Sequence, residues 1–169
     1  IAPVETLHRT LYMEKRAIKD EPTVFNYSVR FKEAAEWFNL KNEDIKPYDT
    51  KSKLFQKYTC ERKKHVHFSP EIRKLSEKIV GNETRPLEIV RRIFTFVNDE
   101  YPWASAREYS TMENIPAYVL KNKHGDCGMV SLTFITLCRL NGIPAKWQSG
   151  FMLHPKAKNL HDWAEVYFE

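Results

Sequence analysis

The hydrophobic and polar positions along this chain fall into two regimes. Through residue 57 the pattern is polar and irregular. Residues 7–18 and 24–31 alternate weakly, as strands do, and Phe31, Ala34, Ala35 and Phe38 share a helical face. Residues 42–52 are rich in Asn, Asp, Pro, Lys and Ser and predict a loop. From Tyr58 the signals sharpen, and residues 58–68 can run as a strand. Ser69-Pro70 then opens a helix, with a hydroxyl at the N-cap and a proline at the first helical position. Ile72, Leu75, Ile79 and Val80 form its buried stripe, and Gly81 stops it. A second helix follows Thr84 as cap and Pro86, with Leu87, Val90, Ile93, Phe94 and Val97 as its apolar residues. Residues 115–120 predict a short third helix. A fourth begins at Cys127, places Val130, Phe134, Leu137 and Cys138 on one face, and ends at Asn141-Gly142-Ile143-Pro144. Residues 145–151 and 160–168 read as strands. Along the second, Leu160, Asp162, Ala164, Val166 and Phe168 take one side, and His161, Trp163, Glu165 and Tyr167 the other.

Helices come first and strands follow the fourth helix, which predicts an α+β fold rather than a doubly wound sheet. The 169 residues, 42% hydrophobic and 13% aromatic, suit one core over residues 58–169 with an N-terminal accessory segment at 1–57. The net charge is +5, but both signs are interspersed, as on a solvated surface. No Arg/Lys stripe is interleaved with stacking aromatics, so no nucleic-acid partner is expected. No apolar run reaches the length of a bilayer span. The start at Ile1 reads as a processed or trimmed product, which leans to an exported protein and otherwise leaves the compartment open. Cys60, Cys127 and Cys138 do not make a disulfide framework.

The chemistry concentrates in Gly125-Asp126-Cys127-Gly128. A thiol at a helix start meets unpaired N–H groups and a partial positive charge, which favour the thiolate and can later receive an oxyanion. The glycines leave room for a substrate backbone. Cys138, within the helix, is expected to be a buried apolar cysteine, and Cys60 to be structural. His161 supplies an imidazole that can hold the thiol proton and return it to a leaving amine. Trp163, on the same strand side, can shield that pair from water. His65 and His67 share a strand face, but neither His124, His154 nor a cysteine completes the set at a metal-binding spacing, so no metal or other cofactor is expected.

These blocks together resemble the transglutaminase-like superfamily, over residues 69–169. The resemblance is carried by Gly125-Asp126-Cys127, by Cys138-Arg139-Leu140-Asn141-Gly142-Ile143-Pro144-Ala145, by Gly150-Phe151, and by His161-Asp162-Trp163-Ala164-Glu165-Val166-Tyr167. It implies a papain-like α+β core, with a nucleophile helix packed on an antiparallel sheet, Cys127 as nucleophile and His161 as its base. It also implies acyl transfer from amides, by hydrolysis of a peptide-like bond or by transfer of a protein glutamine to an amine. A third family residue, usually an Asp on the strand after the histidine, is expected beyond Glu169. The core is therefore read as incomplete at its C-terminal end and as weakly active without that carboxylate. Asp162, facing the side of the strand opposite to His161, is not expected to replace it. An unpaired sheet edge after Tyr167 would favour self-association.

An oxyanion site needs a second donor; the resemblance implies that it comes from a side chain upstream of Cys127, with Trp103, Tyr101 and Tyr118 as candidates and Trp163 as a further substrate-lining residue. No second amine site is marked, and no calcium loop is present, so hydrolysis of a peptide or protein substrate is preferred over calcium-activated cross-linking. Lys146, Lys156 and Lys158 read as a solvated basic surface. The rival expectation is a non-catalytic protein-binding or scaffold domain that keeps the fold.

Overall fold

The computed structural model describes residues 11–28, 30, 32, 37–152, 156 and 159–169, and the chain divides into two compact units, Ile1–Phe38 and Asn39–Glu169. In the first unit, the described residues carry no strand. A turn brings Glu21 N–H to the Ile18 carbonyl (3.2 Å), with Asp20 at φ 62°. The helical face expected from Phe31, Ala34 and Ala35 lies outside the described residues, and Trp37 and Phe38 are not helical.

In the second unit the helices α1 (Lys53–Thr59), α2 (Pro70–Val80), α3 (Pro86–Glu100), α4 (Ile115–Asn122) and α5 (Cys127–Leu140) precede strands β1 (Ala145–Phe151) and β2 (Leu160–Val166). Local chemistry fixes most of these ends. Ser69 accepts from Ile72 N–H, Pro70 opens α2, and Gly81 leaves it at φ 59°. α3 starts one residue later than expected: Arg85, not Thr84, is its N-cap, and the Glu83 carboxylate takes the N–H groups of both Thr84 and Arg85. Asn114 caps α4 by accepting from Ala117 N–H (3.0 Å). One expectation is corrected. Residues 53–59 form helix α1, with Ser52 as cap, and past Cys60 the expected strand shrinks to a single bridge between Arg62 and Val66. Residues 39–57 are grouped with the second unit.

α5 is the centre of this unit, and every other named element except α1 and α2 packs on it closely. Its apolar positions run around most of the helix, as suits an element covered on several sides. Met129, Ile135, Leu137 and Cys138 are fully buried with Ile72, Ile93, Ile115 and Val119. Thr133 and Thr136 are buried too, because their hydroxyls bond back to the Met129 and Leu132 carbonyls (3.0 and 2.7 Å). Beyond α5, Gly142 takes φ 71° and Pro144 bars further helix. Arg139, almost wholly buried, fastens this turn: its Nε donates to the Ala145 carbonyl (2.8 Å) and its Nη1 to that of Cys60 (3.1 Å).

β1 and β2 pair antiparallel, with Ser149 opposite Asp162 and Gly150 opposite His161. Ala145 and Trp147 share their face with Asp162, Ala164 and Val166, and this is the face laid on α5. The other face carries Lys146 ion-paired to Glu165 (3.1 Å), Trp163 and His161. At the strand ends, Lys46 N–H donates to the Glu169 carbonyl (2.9 Å) and the Tyr48 hydroxyl to that of Tyr167 (2.8 Å). Among the described residues, no helix is long and apolar enough to cross a membrane.

Candidate active site

Cys127 is the first residue of α5, and Asp126 is its N-cap. One carboxylate oxygen of Asp126 accepts both the Met129 N–H (2.9 Å) and the Tyr109 hydroxyl (2.5 Å). The remaining N–H groups of the first turn have no partner within the helix, so they and the helix dipole face the thiol. The approach to this corner is held from upstream. Trp103 and Gly125 form a parallel bridge, with Ala104 N–H donating to the Gly125 carbonyl (3.0 Å). Gly125 has to be a glycine: a Cβ there would sit 2.8 Å from Met129 Cβ.

Gly128 is tighter. A Cβ would fall on the Tyr109 hydroxyl and within 2.7 Å of Trp147 Cη2 and 2.9 Å of Asp162 Oδ2. The bare backbone thus lets β1, β2 and the 3-10 turn Tyr109–Thr111 close on the first turn of α5. Cys127 is half-buried at this junction. It lines two cavities. One, of about 910 Å³, has a mixed polar and apolar wall and is also lined by Tyr109, Asp126, His161 and Trp103. The other, of about 660 Å³, is walled by Val90, Phe94, Val130, Phe134, Tyr101 and Trp163.

Cys127 and His161 therefore open on the same cavity. The polar group in hydrogen-bond range of Sγ among the described residues is instead Asp162 Oδ2, at 4.0 Å. Strand alternation gives two faces but not which of them meets the helix, and here the Asp162 face does. His161 is exposed, tilted against the Trp163 ring at 6.5 Å. Burial raises the Asp162 carboxyl above its ordinary value, the nearby Asp126 adds to this, and His161 works against it. Burial likewise raises the Tyr109 phenol, helped by its bond to Asp126.

The candidate oxyanion and lining residues separate. Trp103 lines both cavities and Trp163 the apolar one. Tyr101 is buried with its hydroxyl unpartnered, and its phenol is pushed up to about 12, mainly by burial. Tyr118 stands away from both cavities, edge-on to His124 with Arg107 over its ring. Cys138 is buried within α5, which pushes its thiol up, and Cys60 is exposed. His67 pairs with Glu61, His65 keeps an unpartnered buried Nδ1, and His154 lies outside the described residues. Among the described residues no cluster of His, Cys, Asp and Glu is arranged to hold a metal. Tyr109 and the inward Asp162 were not foreseen; Tyr109 meets Asp126 across 17 residues, a contact no local pattern encodes.

A family model of the transglutaminase-like superfamily matches residues 73–169. The chain belongs to the transglutaminase-like superfamily. The match runs from within α2 through β2 and so takes in both Cys127 and His161. The chain's fold is similar to the crystal structure of a putative cysteine protease from Cytophaga hutchinsonii, at a TM-score of 0.58 and 19% identity. That likeness covers 69% of this chain and 39% of the other, and at this identity it speaks for the fold alone. No curated protein matches the chain.

Proposed function

We propose that this chain carries thiol-dependent acyl transfer at an amide carbonyl, with hydrolysis of a peptide-like bond as its first activity. Cys127 Sγ attacks the carbonyl carbon, His161 takes the thiol proton and returns it to the leaving amine, and water resolves the acyl-enzyme. The N–H groups at the start of α5 receive the oxyanion, with Trp103 at the rim of the same cavity. An amine in place of water would give transfer from a protein glutamine. One observation carries the reading: Cys127, at a helix N-terminus, shares one cavity with His161.

A non-catalytic protein-binding role is favoured by a different observation, that Asp162 rather than His161 is in hydrogen-bond range of the thiol. Alkylation of Cys127 followed from about pH 5 to about pH 9, with Cys127→Ala as blank, separates the two. The enzyme reading expects a fast alkylation well below the range of a free thiol that disappears in His161→Ala. A thiol no faster than a free one at every pH would leave the binding role.

A further inference from the structure

The first turn of α5 is built around a carboxylate that the acyl-transfer chemistry does not use. Asp162 enters from the inward face of β2 and stops 4.0 Å from Cys127 Sγ. Its position depends on Gly128, whose missing side chain leaves space for Oδ2. The groups around it come from every element at this corner. α5 contributes Asp126 and the thiol, and the 3-10 turn contributes Tyr109, whose hydroxyl is committed to Asp126. β1 contributes the Trp147 ring and, opposite in register, Ser149. On its own strand His161 lies on the other side, and Arg107 and Glu108 line the cavity beyond. No cation is bonded to Asp162 among the described residues, and the thiol is its hydrogen-bond partner.

We propose that Asp162 is a positioning residue for the nucleophile: its carboxylate accepts the Cys127 S–H and fixes the side chain over β2. A second negative charge at this distance opposes thiolate, so reactivity at rest is held below what the helix start and His161 alone would give, though still above that of a free thiol. In turnover the S–H proton passes to His161 as the S–C bond to the substrate carbonyl forms. The inference rests on Cys127 being the reactive thiol of the proposed function.

The test is iodoacetamide alkylation, followed by intact mass in a Cys60→Ser background, since Cys60 is the exposed competitor and Cys138 is buried. The probe is neutral, so a change of local charge does not alter its encounter with the protein. Two like charges at this separation interact weakly but measurably even in water, so Asp162→Asn and Asp162→Ala should be alkylated about fivefold or more faster near neutral pH. The difference should close at high pH, where every thiol is ionised. Asp162→Glu, which keeps the charge, should stay near the parent rate. Equal rates for parent and Asp162→Asn, or a difference constant across pH, overturn the proposal. His161→Ala in the same series keeps the two readings apart. Acceleration in Asp162→Asn with no effect of His161→Ala supports the Asp162 role and removes the His161 one. Loss of reactivity in His161→Ala with none of the Asp162 effect does the reverse.

Discussion

Replacing Gly128 by alanine probes the site and the fold together. The new Cβ would overlap the Tyr109 hydroxyl and lie 2.7 Å from Trp147 Cη2 and 2.9 Å from Asp162 Oδ2. None of these is backbone, so each can move, but they approach from three different elements and Tyr109 is tied to Asp126. Inserting a methyl into a packed site costs about 1–3 kcal/mol. Alanine's helical advantage over glycine returns at most about 1 kcal/mol, and less in a first turn. The net is a loss of about 1 kcal/mol, or a fall in Tm of about 4 °C for a unit of this size. Thermal and urea unfolding followed by circular dichroism give the stability, and Cys127 alkylation in the same samples reads the site. Stability should drop while the alkylation profile shifts, because Asp162 is pushed from the thiol. A Tm unchanged or raised, with alkylation as in the parent, would refute the packing described for this corner.

Asp126→Ala removes the α5 cap and the Tyr109 acceptor and should cost about 1–2 kcal/mol in urea, with Asp126→Asn recovering most of it, since asparagine caps equally well. Arg139→Ala strands the Ala145 and Cys60 carbonyls and leaves a void, and should lower the urea midpoint by the equivalent of about 2–4 kcal/mol, with lysine restoring little of the forked contact. Glu83, bonded to Arg85, titrates at about 2 instead of 4.5. Its folded value lies below its unfolded one, so its contribution is full above 4.5 and lost as pH falls toward 2, and Glu83→Gln should flatten the Tm curve across that window. Asp162 has the opposite sign: its folded value is raised, so its ionised form opposes folding. Asp162→Asn should therefore raise Tm near neutral pH, with the gain fading as pH falls through the carboxylate range.

Much of the helical core was legible because its signals are local. The Ser69-Pro70 start, the Gly81 stop, the helix start at Cys127 and the Gly142-Ile143-Pro144 turn each act within a few residues, and each falls where the sequence placed it. α1 was missed because it is only seven residues long and its apolar Leu54 is exposed beside Lys53, Gln56 and Lys57, so no clear stripe forms; its neighbours are a distant β1 and α5. Phe94, apolar in the sequence, is exposed and stands edge-on to Phe134, both lining the apolar cavity. At the site, the sequence named Cys127, His161, Trp103 and Trp163 as candidates. The alternation of β2 fixed which residues share a face, but the choice of face depends on how the strand meets α5. That is why Asp162, set aside in the sequence, stands at the thiol.

The central claim is that Cys127 is an acyl-accepting nucleophile, and mass spectrometry of the protein during turnover of an activated peptide ester or amide tests it most directly. An adduct of the acyl mass on Cys127, absent in Cys127→Ala and slowed in His161→Ala, is the predicted result. No adduct, or one that maps to Cys60 and survives Cys127→Ala, would contradict it.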